Sequence, residues 1–96
     1  MSFGIIHRFA GGTREQYENT IKVVHPDGGK KLPEGQTLHV AGPTDDGWLV
    51  MAVHDSQATW ESFRDTILVP GLAKVDNGLP GPPEEVSFEV YKLQTS

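Results

Sequence analysis

Four histidines stand in the chain, and three of them, His7, His39 and His54, fall in short apolar stretches of β-prone residues. An imidazole titrates at about 6.5 when unperturbed, so a strand histidine suits general-base work near neutral pH. His7 or His39 could remove a phenolic or enolic proton and leave a carbanion able to react with oxygen. The alternative is that each is a satisfied core or interface histidine. Trp48, Trp60 and Phe63, with His54, are candidate ligand-binding residues. The indoles offer flat faces to a planar ligand, although such residues also serve simply as core.

Other chemistries find little support. Cysteine is absent, which removes disulfides, thiolate-held metals and a cysteine nucleophile. The strand histidines are too dispersed for one metal site, and neither a metal nor any other cofactor is expected. No phosphate loop or nucleophile elbow is present. Eight Lys and Arg face 13 Asp and Glu, net −5, with no basic run. A nucleic-acid surface is therefore not expected. The longest wholly apolar run, Leu49 to Val53, is far short of the ~20 residues of a membrane span. Met1-Ser2-Phe3-Gly4 does not read as a signal peptide. The expectation is a soluble cytoplasmic protein.

The elements that must position these residues can be read from spacing. The 96 residues fit one domain, 1–96. Phe3 to Phe9 predicts a strand, broken at Gly11-Gly12. Thr13 and Gln16 have capping-box spacing, and Tyr17, Ile21 and Val24 form one helical stripe, so a helix is expected over 13–24. His25 to Gln36 reads as a mobile loop. Thr37–Ala41 and Trp48–His54 predict a hairpin around the six-residue turn Gly42–Gly47. Asp55 or Ser56 caps a second helix carrying Trp60, Phe63, Ile67 and Leu68, with a kink or end at Pro70-Gly71. Leu79 to Pro83 reads as a linker, Glu84-Glu85 as its solvated charges, and Val86 to Tyr91 as the last strand. The order β-α-β-β-α-β fits an α+β, ferredoxin-like fold: a four-stranded antiparallel sheet with two helices on one face.

If Gly42 faces Gly47, His39 opposes Val50. One face then carries Thr37, His39, Ala41, Trp48, Val50, Ala52 and His54. The other carries Leu38, Val40, Leu49, Met51 and Val53. Neither is a solvent face, and two helices cover only one. A homodimer through Leu49, Met51 and Val53 is the expected cover. If strand one places His7 near Val50, His7 and His39 share a face about 10 Å apart. They are then expected to line one cavity with Trp48 in its wall, their hydrogen-bond partners coming from water or ligand.

The string Thr37-Leu-His-Val-Ala-Gly-Pro-Thr-Asp-Asp-Gly-Trp48, followed by Val53-His-Asp-Ser56, Trp60, Phe63 and Leu79-Pro-Gly-Pro-Pro83, resembles the dimeric α/β-barrel superfamily. His7-Arg8-Phe9 and His54-Asp55-Ser56 are similar to its quinol and antibiotic-biosynthesis monooxygenase branch, where strand one often reads Asn-Arg-aliphatic. The resemblance implies face-to-face sheets and a small apolar or aromatic ligand. It also implies either cofactor-independent oxygenation of an aromatic or polyketide-like compound or a non-catalytic ligand-binding dimer. Its haem-degrading members carry a histidine late in the second helix. Val69-Pro-Gly-Leu-Ala73 has none, so haem is not expected.

Overall fold

A computed structural model describes residues 1–96. Strand β1 (Phe3–Ala10) leads through a turn with Gly11 at positive φ into helix α1 (Arg14–Val24). The Thr13 hydroxyl accepts from the Gln16 backbone N–H while the Gln16 side chain accepts from the Thr13 N–H, closing the expected capping box. Strands β2 (Gln36–Thr44) and β3 (Gly47–His54) follow, then α2 (Gln57–Phe63), which is capped by the Ser56 hydroxyl. A π-helical turn, Arg64–Leu68, joins α2 to the short α3 (Val69–Leu72), and β4 (Glu84–Glu89) closes the fold.

The sheet order is β2-β3-β1-β4 and every neighbouring pair is antiparallel. The architecture is α+β with helices packed on one face, compatible with a ferredoxin-like order. The core beneath the helices is Ile5, Val24, Trp60 and Phe63, flanked by Phe3, Ile21 and Leu68. The stripe of Ile21 and Val24 and the α2 pair Trp60 and Phe63 thus converge on β1, which is how amphipathic spacing becomes a core.

Three expectations need correction. The hairpin turn is two residues, Asp45-Asp46, and both strands run into it, so Thr44 rather than Gly42 opposes Gly47. His39 therefore opposes Ala52. The slip is two residues, and because side chains alternate with period two, His39, Ala41, Val50 and Ala52 keep the predicted face. A bulge between Gln36 and Leu38 then puts Gln36, not Thr37, opposite His54. Finally, β4 begins at Glu84, so the supposed linker charges are ladder residues, and Glu85 opposes His7 on β1.

Candidate active site

The helix-side face of the sheet, α1, α2 and the segment from the π turn to Pro83 enclose a cavity of about 460 Å³, lined mainly by apolar side chains. Trp60 and Phe63 form part of its wall, with Ile5, Val50 and Ala52 from the sheet and Leu68 and Leu72 from above. His7 and His39 both line it, toward opposite edges of the sheet. Volume and lining are those of a small-molecule site with a few polar groups to orient the ligand.

Neither histidine waits for a partner, contrary to expectation. His7 Nε2 donates to the Glu85 carboxylate at 2.6 Å. His39 is held from both sides: its Nε2 is 2.6 Å from the Tyr17 hydroxyl and its Nδ1 3.0 Å from Gln36 Oε1. The Gln36 amide nitrogen continues the chain to His54 Nε2 at 3.2 Å. Tyr17, His39, Gln36 and His54 thus form one hydrogen-bonded series from the cavity wall into the core.

Two predicted ligand-binding residues stand outside the cavity. His54 is 0% exposed, enclosed by the rings of Trp60 and Phe63 at 5.6 and 5.7 Å between centroids. Its Nδ1 has no partner. Trp48 is buried behind the cavity, 5.3 Å from the Tyr17 ring, and instead borders a shallow surface hollow near Gly12 and Pro43. It braces Tyr17 from behind.

Conversely, His25 belongs to the site. The loop it opens turns sharply through a 3₁₀ segment, Asp27–Gly29, and His25 lies 7% exposed with its ring 4.7 Å edge-on to that of His39. It lines the cavity, and no protein group hydrogen-bonds its ring there. Three imidazoles desolvated together stay neutral. Burial first, then the proximity of His39 and His54, pushes His25 down to about 4. Burial likewise lowers His39, and lowers His54 against the opposing pull of Asp55. Burial, with the nearby Glu18 charge, raises the Tyr17 phenol.

Sequence reading placed Tyr17 on a core stripe, His25 and Gln36 in a loop and Glu85 in a linker. A signal for Tyr17 was present, since a tyrosine on a buried stripe needs a hydroxyl partner. Nothing in the spacing marked Gln36, because a bulge alone turns it inward.

The histidines do not gather with carboxylates into a metal-binding group. No helix is long and apolar enough to cross a membrane. Comparison with protein-family profiles, curated proteins and solved structures finds no match to the chain.

Proposed function

We propose that this chain binds a flat, mainly apolar organic molecule in the helix-side cavity and acts on it by acid–base chemistry as a cofactor-independent monooxygenase-like oxidoreductase. The observation that carries this reading is the mainly apolar cavity with a Tyr17–His39 pair and the free ring of His25 in one wall, and a His7–Glu85 pair toward the opposite edge of the sheet. A carboxylate on one ring nitrogen fixes a histidine's orientation and leaves the other nitrogen for the ligand. His39, reached through the Tyr17 hydroxyl, or His7 would take a proton from an activated methylene or enol. The carbanion so formed reduces dioxygen: one oxygen atom becomes the product carbonyl, and the other leaves as water with both methylene hydrogens. The substrate is thus the sole reductant.

The second reading is non-catalytic binding in the same cavity. It is favoured by the lowered basicity of His39, which burial makes a weak proton acceptor. Anthrone, a flat activated-methylene compound, separates the two. On the catalytic reading, the imidazole NMR signals of His7, His25 and His39 move on addition, and one oxygen molecule is consumed per anthraquinone formed. Signal movement without oxygen uptake selects plain binding. No movement in any of the three overturns both.

The same reading includes a homodimer. On the outer face, Val40, Val86 and Phe88 are 46%, 50% and 41% exposed, and Ile6, Leu49 and Met51 are partly so. The Phe88 ring lies across Gly4, where any Cβ would collide with it. Val53 is already buried within the single chain. The self-complementary patch is therefore centred on Leu49 and Met51, with Val53 beneath it. A second copy of the sheet covers such a patch with one two-fold contact.

A further inference from the structure

We infer that Tyr17 is the ligand-recognising residue of the cavity, and that it selects a neutral aromatic compound presenting a hydroxyl or N–H donor over one presenting only acceptors. The inference rests on the proposed reading of the cavity as a small-molecule site and names the chemistry of what enters it.

The direction of the hydrogen-bonded series carries the argument. Gln36 Oε1 is a carbonyl oxygen and only accepts, so His39 Nδ1, 3.0 Å away, carries the hydrogen. A neutral imidazole has one N–H, so His39 Nε2 is a lone pair. The 2.6 Å contact is then the Tyr17 hydroxyl donating. Tyr17 has spent its only hydrogen on His39. What it presents to the cavity is oxygen lone pairs, which welcome a donor and repel a ligand carbonyl or ether.

The series is held in that sense from behind. The Gln36 amide is fixed because its nitrogen donates to His54 Nε2, and His54 cannot move, being wholly enclosed. Gln36 and His54 are therefore positioning residues: they set the tautomer of His39, which sets the polarity of Tyr17. His25, the neighbouring ring, carries one donor and one acceptor and discriminates neither way. Burial keeps His25 and His39 uncharged, and Arg64, the arginine on the lining, is taken up by Asp65, so no unpaired cation beside Tyr17 waits for an anionic ligand.

The test titrates the full-length protein with 4-nitrophenol and with its methyl ether, 4-nitroanisole. We expect the phenol to bind at least tenfold tighter, with the absorbance of the protonated form in the complex. Tyr17→Phe keeps the ring against Trp48 and should erase that preference, weakening the phenol and not the ether. In the free protein, nitrogen NMR should find His39 as the Nδ1–H tautomer, and Gln36→Leu should mix the tautomers. Gln36→Glu places a carboxylate on His39 Nδ1 and should move bound 4-nitrophenol toward its phenolate absorbance. Equal affinity for the two probes, or a preference that survives Tyr17→Phe, overturns this inference and leaves the cavity reading standing. If neither probe binds, the cavity reading falls and this inference falls with it.

Discussion

The two faces of one sheet solve opposite problems. Toward the helices, strands β2 and β3 bury polar groups: Gln36 is 7% exposed and His54 0%. Toward the outside, the same strands and β4 leave apolar ones uncovered, with Val40 at 46% and Val86 at 50%. Period-two alternation on adjoining strands puts the two sets on opposite sides. The series of buried polar groups is tolerable because each but the last is satisfied by the next; His54 Nδ1 at its end and, apart from the series, Trp48 Nε1 are left over. The uncovered apolar groups have no such internal remedy, because Val40, Val86 and Phe88 each keep two fifths or more of their surface exposed within the single chain. A face that satisfies itself through a network is finished within one chain; a face that needs area is not.

The strongest way to break this contrast is a charge on the outer face. Met51→Glu should leave the helix side intact and abolish self-association, since an unpaired charge buried at an interface costs about 3–5 kcal/mol. Sedimentation should give twice 10.5 kDa for the parent and 10.5 kDa for the variant. A parent that sediments at 10.5 kDa defeats the dimer without touching the cavity.

Acid attacks the other face. His25 titrates at about 4 when folded against 6.5 for the free side chain, so the unfolded chain binds more protons between those values. Stability is then fully present above pH 6.5 and is lost as pH falls toward 4. The loss is on the order of 2–3 kcal/mol from His25, with His39 and His54 acting in the same direction. Urea midpoints at pH 7 and pH 4.5 check this, and a His25→Phe variant should flatten the difference. Asp65, whose carboxyl the Arg64 hydrogen bond holds below its usual range, contributes only at lower pH and cannot mimic the effect.

The smallest expected effect is at the exposed end. Glu85→Ala removes the His7 partner on a strand exposed along its whole length, and should cost under about 1 kcal/mol in thermal stability. It should nevertheless move the imidazole signals of His7 in NMR at fixed pH, because the ring loses its hydrogen-bond partner. A large loss of stability would show that this pair belongs with the buried series rather than apart from it.

Element order and the division of residues between faces were legible in the sequence because both depend on parity and helical spacing. Those survive a hairpin misplaced by two residues, which is why His39 was expected on the right side from the wrong register. The hydrogen-bond partners were not legible. Tyr17 meets His39 across 22 positions and His7 meets Glu85 across 78, and no local pattern records such pairings. Trp48 and His54 were expected at the ligand because they share the site's face, yet facing a cavity and reaching it differ once α1 and α2 close over the strand ends.

The bulge at Thr37 behaves toward β2 as a frameshift does toward a message. Downstream, from Leu38 onward, every residue keeps its phase; upstream, the facing is inverted by one surplus residue. Removing Thr37 would leave Gln36 in phase beside Leu38 and still facing His54, so the surplus residue is the expendable one. Ironing the ladder flat without a deletion would bring a threonine inward and send the amide out to water. The two codons therefore differ in consequence: loss of the Thr37 codon keeps the amide behind His39, whereas loss of the Gln36 codon puts a threonine there and leaves the remainder of the sheet unaltered.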